Sequence, residues 1–180
     1  MSATVVSESM YGNTRAVAEA IAEGLGDAEV MSVPDAAGRV QAADLLVVGG
    51  PTHVHGIATK RSRQAAAKAV HEDGAAHLEA EATDEPGLRA WLRDLPNGEH
   101  AKAAAFDTRL DKSPWLTGVA SRGIAKRLRR DGYDVIDQES FLVEESEGPL
   151  AEGELERARE WGRKLASLIP RPAAAARSER

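Results

Sequence analysis

The chain has 180 residues and a net charge of −6. That suits one domain of ordinary size and argues against a nucleic-acid binder, where a basic surplus is usual. Cysteine is absent, which excludes disulfides, thiolate nucleophiles, Cys-ligated zinc and iron–sulfur clusters.

Nothing resembles a signal peptide, and no apolar run is long enough to span a bilayer. The expectation is a soluble cytoplasmic protein without membrane insertion. The short apolar run Ala3 to Val6 reads as strand one. Residues 13 to 25 follow with Val17, Ala20, Ile21 and Leu25 on one helical face, and Gly24 and Gly26 act as stop signals. Glu29 to Val33 predicts a second strand closed by Pro34. Asp44 to Val48 predicts a third, continuously apolar as a parallel strand buried on both faces should be. Gly49-Gly50-Pro51 is expected to break it.

Residues 61 to 70 read as helix. Residues 71 to 87 read as loop, being acidic and rich in turn formers. Leu88 to Leu95 predicts a short helix stopped by Pro96-Asn97-Gly98, and Ala101 to Phe106 a fourth strand. A helix over 113 to 130 presents Leu116, Ala120, Ile124 and Leu128 inward. Tyr133 to Val143 is the fifth strand, polar enough in the middle to be two half-strands. Glu152 to Ile169 is the last helix, with Leu155, Ala158, Leu165 and Leu168 or Ile169 facing inward. The domain is expected to span residues 1–169, and the Ala- and Arg-rich tail 170–180 to be disordered.

Five alternations of strand and helix imply an α/β fold: a three-layer doubly wound sandwich on a five-stranded parallel sheet. The common order is 2-1-3-4-5, with ligands at the carboxyl ends of strands one and three. Ser7-Glu8-Ser9-Met10-Tyr11-Gly12-Asn13-Thr14 lies at the first of these ends, Gly49 to Gly56 at the second, and Phe106 to Trp115 follows strand four. The three loops are expected to meet at one crevice.

The first loop carries no Lys or Arg before Arg15, yet it suits an anion. A helix N-terminus offers unpaired N–H groups and a partial positive charge, and small residues let a phosphate approach them. Ser9 and Thr14 add hydroxyls, and Gly12 allows a left-handed turn. The bland alternative is an ordinary helix capped by Asn13 or Thr14. No Gly-x-Gly-x-x-Gly follows strand one and no Gly-Lys-Ser/Thr is present, so dinucleotide and triphosphate fingerprints are missing. Strand three ends in Gly49-Gly50-Pro51, so the acidic phospho-acceptor of a response-regulator receiver is missing too.

These residues resemble the flavodoxin family. Ser9 to Thr14 resembles its phosphate loop, Ser/Thr-x-Thr/Ser-Gly-Asn-Thr, with Met10 and Tyr11 in place of small residues. Gly49-Gly50-Pro51-Thr52-His53-Val54-His55-Gly56 resembles its Gly-x-Pro-Thr loop, and Phe106-Asp107-Thr108-Arg109 its next loop. The resemblance implies flavin mononucleotide (FMN) as cofactor. Its phosphate would lie on Ser9, Met10, Tyr11, Gly12, Asn13 and Thr14. Its ring would lie between Pro51, Thr52, His53, Val54, His55 and Gly56 on one side and Phe106, Asp107, Thr108 and Arg109 on the other. The usual Trp and Tyr that sandwich the ring have no counterpart in these loops.

The side readings are structural. His53-x-His55 lacks a clear third ligand, and His71 and His77 read as a solvated loop, so no metal is expected. Arg109 reads either as a cation at the flavin edge or as a surface salt bridge. Trp115 is expected to staple the fourth helix rather than cover the ring, and Trp91 and Trp161 to pack. The basic run Arg122, Lys126, Arg127, Arg129 and Arg130 is expected to be a solvated face. The resemblance thus implies a low-potential electron carrier acting with redox partner proteins or a small-molecule acceptor, with no catalytic residue of its own, as a monomer or weak homodimer. Two alternatives stand: an FMN-dependent reductase of quinones or similar acceptors, and a binding module that has lost tight flavin binding.

Overall fold

The computed structural model describes residues 2–26, 28–39, 43–53, 56–59, 63–64, 79 and 85–169, with positions 114 and 116 described in backbone only. The expectations for Val54, His55, His71, His77 and the tail 170–180 lie outside the described residues, as do most of those for 61–87.

Strand β1 (Ala3–Ser7) leads into α1 (Asn13–Leu25), β2 (Glu29–Ser32) into a one-turn α2 (Val33–Ala36), and β3 (Leu45–His53) into a two-residue β4 (Gly56–Ile57). Then come α3 (Leu88–Asp94), β5 (Lys102–Leu110), α4 (Pro114–Thr117), α5 (Ala120–Arg130), β6 (Asp134–Val143) and α6 (Glu154–Leu168). The sheet runs β2-β1-β3-β5-β6, all parallel, which is the predicted 2-1-3-4-5 order. β4 pairs antiparallel with the end of β3 and makes a sixth, short strand.

Each face of the sheet has its own core. On one side α1 and α6 pack over Val5, Val47, Phe106 and Phe141. On the other, α3 and α5 cover Val6, Val48, Ala103 and Ala105 through Leu92, Trp91, Ile124 and Leu128. Trp91 and Trp161 are both buried, as expected of packing residues.

Several boundaries differ from the sequence reading, each for a tertiary reason. β3 does not stop at Gly49-Gly50-Pro51. A Cβ at Gly49 would stand 2.2 Å from the Phe106 ring, and one at Gly50 2.5 Å from Leu88. The glycines clear space for neighbours, and the strand continues. β5 likewise extends to Leu110, paired with β6 throughout. Val33 leaves β2 because the Ser32 hydroxyl caps α2, accepting from the Asp35 amide at 3.3 Å.

The helix expected over 113–130 is two helices. Gly118 takes a left-handed φ of 76°, and Val119 is extended. The fifth strand is continuous, with one register shift opposite Ala103/Ala104 that leaves Ile136 extra. In α6, Leu155 and Leu168 are exposed and Ile169 is buried instead, while Trp161 fills the inner face beside Ala158 and Leu165.

Candidate cofactor site

The loop after β1 begins the site. Gly12 stands as N-cap of α1 at φ 87°, where a side chain would be strained. It takes the cap role expected of Asn13 or Thr14, and no side chain caps the helix. The first amides of α1 therefore lack intrahelical partners and project beyond the end of the helix. Ser9 Oγ accepts from the Gly12 amide at 3.2 Å and closes the turn.

Side chains that the sequence offered for the phosphate also tie this loop to others. The Thr14 hydroxyl is buried and shares a 2.7 Å hydrogen bond with the Thr108 hydroxyl. Asn13 Nδ2 donates to the Glu147 carbonyl at 3.0 Å. On its outer side, the Met10 carbonyl accepts from the Glu79 amide at 2.8 Å, and the Glu79 carboxylate pairs with Arg15 at 2.9 Å.

A cavity of about 200 Å³ opens beside this helix start. It is lined by Met10, Tyr11, Asn13 and Thr14, by Pro51, Thr52 and His53, and by Thr108 and Arg109. The three predicted loops do meet. Leu110, Val143 and Ser146 complete the lining. Leu110 falls within the expected third loop, whereas Val143 and Ser146 were not singled out, although the rule that ligands sit at carboxyl strand ends extends to the fifth strand. Gly56 lies opposite His53 in β4.

Other predicted residues serve elsewhere. Phe106 is fully buried and packs edge-on against Phe141 and Trp161, with centroids 6.3 and 6.5 Å away. Asp107 is fully buried beneath the site. Its Oδ2 accepts from the Thr52 hydroxyl at 2.6 Å and the Ser121 amide at 3.1 Å, while Thr52 Oγ1 accepts from the Ala120 amide at 2.9 Å. Asp107 thus fastens the β3 loop to the start of α5, which explains why that helix begins anew at Ala120. Ser9 lines a neighbouring cavity of about 220 Å³ between the ends of β1 and β2.

Arg109 is the charged residue of the lining. Its Nη1 donates to the Leu110 and Lys112 carbonyls, and its Nε is buried without a partner. That spare donor, with the open α1 amides, suits an anionic, carbonyl-bearing group. Burial holds the His53 imidazole below its ordinary pKa, so it favours the neutral form, and its Nε2 lies 2.9 Å from the Met10 sulfur. Burial, with help from Glu147, pushes the Tyr11 phenol up. Trp115 is 85% exposed and neither staples a helix nor covers the cavity.

The family model described as flavodoxin matches residues 5–106, more than half of the chain. The chain belongs to the flavodoxin family. No curated protein matches the sequence. Solved structures share the fold at low identity. A flavodoxin from the domain Archaea is 20% identical with a TM-score of 0.57, the alignment covering 94% of this chain and 99% of that one. A WrbA-like flavodoxin from Agrobacterium tumefaciens is 21% identical with a TM-score of 0.57, covering 93% and 96%. Oxidised flavodoxin 2 from Bacillus cereus is 17% identical with a TM-score of 0.58, covering 93% and 99%.

Within this flavodoxin the cradle leans on a residue that the sequence did not single out. Glu8 is buried, and its Oε2 accepts from the Leu88 amide at 2.7 Å and from Arg63 Nη1 at 3.2 Å. Arg63, also buried, reaches Glu85 with its other nitrogen at 3.0 Å. Burial raises the Glu8 carboxyl pKa, opposed by the Leu88 amide and Arg63. A lone Glu in a loop carries no sequence signal of such burial. No described helix is long and apolar enough to cross a membrane, and no group of three or more metal-ligating side chains is found among the described residues.

Proposed function

We propose that the protein binds FMN and works as a one-electron-capable redox carrier for partner proteins. One observation carries this reading: the uncapped α1 N-terminus opens into the same cavity as the carboxyl ends of β3 and β5. Ser9, Met10, Tyr11, Gly12, Asn13 and Thr14 would hold the phosphate, through the open amides at the start of α1 and the Thr14 hydroxyl, with Ser9 closing the turn at Gly12. The ring lies against Pro51, Thr52 and His53 and against Thr108 and Arg109, with Val54, His55 and Gly56 completing its loop. When bound, the flavin supplies the redox chemistry. The chain's residues bind and orient it. Arg109 places a cation where negative charge grows on reduction, and neutral His53 adds no second charge.

The test is direct. The purified protein should show the visible absorption of an oxidised flavin or acquire it with added FMN. FMN should bind at least about tenfold more tightly than riboflavin, the value of one hydrogen bond to a charged group. Equal affinities would remove the phosphate from the cradle. Thr14→Val with Ser9→Ala should weaken FMN and leave riboflavin unchanged.

A second reading rests on the lining itself. Among the described lining residues Tyr11 is the one aromatic carbocycle, and aromatic pairs contribute about 1 kcal/mol beyond burial. A ring so lightly covered suits a flavin-dependent reductase of quinones or similar acceptors. Steady turnover of a quinone with a nicotinamide donor would favour it over the carrier.

A further inference from the structure

We infer that the outer surface of α3 and α5 is a docking face for an acidic protein partner. The inference rests on the carrier reading above, which requires that partners approach the ring loops. On a chain of net charge −6, these two helices expose Arg89, Arg93, Arg122, Lys126, Arg129 and Arg130. The last four recur on one stripe of α5, opposite buried Ile124 and Leu128. α5 contains no acidic residue, and among the described residues none of those four forms an ion pair.

The acids at the C-terminal ends of the two helices, Asp94 and Asp131, are paired with Arg93 and Arg127, while Glu139 and Glu154, which share a cavity with Arg122, are paired with Arg157. Arg127 also donates to the Arg93 carbonyl at 3.2 Å, which joins the helices into one surface. That surface reaches the site. Arg89 donates to the Ile57 carbonyl at 2.8 Å, and a Cβ at Gly123 would lie 3.5 Å from Ile57. Ile57 belongs to β4, the arm that follows the ring loop. The amides that open α5 are bonded to Thr52 and Asp107.

A concentrated patch of one sign steers the opposite charge to the surface beside it, whatever the net charge of the whole. An acidic protein is favoured over a membrane because no large apolar side chain is exposed on α3 or α5. It is favoured over nucleic acid because the chain as a whole is acidic, with a net charge of −6.

The first test needs no flavin. A poly-glutamate peptide titrated at low salt should shift amide resonances of α3, α5 and residues 56–57. Shifts spread evenly or centred elsewhere would overturn the proposal. So would a footprint on the same face from phosphatidylserine vesicles or duplex DNA but not from the peptide.

The second test uses the flavin-loaded, reduced protein. Ferricyanide takes one electron per ion and becomes ferrocyanide, and the reduced flavin releases its protons to solvent. From about 10 mM to about 1 M salt the Debye length falls from about 30 to about 3 Å. The ferricyanide rate should drop roughly tenfold over that range, within the span of electrostatic steering. A molecule acting through net charge alone would speed up instead, and that result would sink the idea.

Hexaammineruthenium(III), a cationic oxidant, should not slow down with salt. Arg122→Glu with Arg129→Glu should reverse the ferricyanide trend. Arg159→Glu with Arg163→Glu, an equal charge change on α6, should not. Failure to take up flavin would remove the carrier reading and leave the peptide titration to decide the face.

Discussion

The two sides of the sheet are closed by different means. The α1/α6 side is steric. A Cβ on Gly24 would stand 2.1 Å from the Arg159 carbonyl oxygen, and one on Gly162 2.3 Å from that of Ile21. Beneath the crossing, Phe106, Phe141 and Trp161 meet edge to face at 6.1 to 6.5 Å. The α3/α5 side mixes aliphatic packing with buried charge, the Glu8–Arg63 pair lying at its rim beside the cradle. Close backbone packing dominates between α1 and α6, beside the ion pair of Glu23 with Arg159, whereas the loop after β1 is fixed by directed polar contacts that carry a desolvation cost.

Substitutions can break that contrast in order of size. Trp161→Ala removes the largest side chain of the aromatic trio and should cost about 4 kcal/mol in denaturant unfolding. Arg63→Met leaves Glu8 buried and uncompensated and should cost about 3 kcal/mol. Adding Glu8→Gln, which can still accept from Leu88, should recover most of that loss. If the double variant is no more stable than the single, the pair is not the reason. Gly162→Ala should cost about 2 kcal/mol by forcing α1 and α6 apart, with flavin affinity little changed. Thr108→Val strips the Thr14 hydroxyl of its partner, which should cost about 1 kcal/mol while loosening FMN measurably.

The smallest effect is in pH. His53 has a folded pKa below its ordinary value, so the unfolded chain binds the proton more readily. Its contribution is present above the ordinary histidine pKa and is lost as pH falls below it. His53→Gln should flatten the acid-side decline of the unfolding midpoint. Glu8 has the opposite sign. Its raised pKa makes its contribution greatest in acid, and that contribution is lost as pH rises through the folded value.

Much of this architecture was legible because local pattern and global fold agree. The runs around Val5 and Val47 could only be buried strands, and Val17, Ile21 and Leu25 mark one face of α1. The turn at Gly12 and the start of α1 were legible because they are local: one glycine and one helix start within a few residues. What was not legible is set from afar. Gly49-Gly50 reads as punctuation until Phe106 and Leu88 are seen to need the space. Asp107 reads as a loop residue until it is found binding Thr52 and Ser121. Leu155 fits a helical stripe, but it lies outside the inner face that Ala158, Trp161 and Leu165 share, and its neighbour Glu154 is the one buried.

The bond from Asn13 to the Glu147 carbonyl spans 134 residues, and the ion pair of Glu23 with Arg159 spans 136. The cradle is encoded near the start of the chain and is fastened by its end. During synthesis, which proceeds at about 5–20 residues per second, the first loop exists long before its fastenings emerge. Closing so long a span costs chain entropy that only the finished fold returns. A growing chain therefore has the start of α1 before its fastenings exist, and on the proposed function FMN would meet a complete cavity only once β6 and the segment around Glu147 are in place.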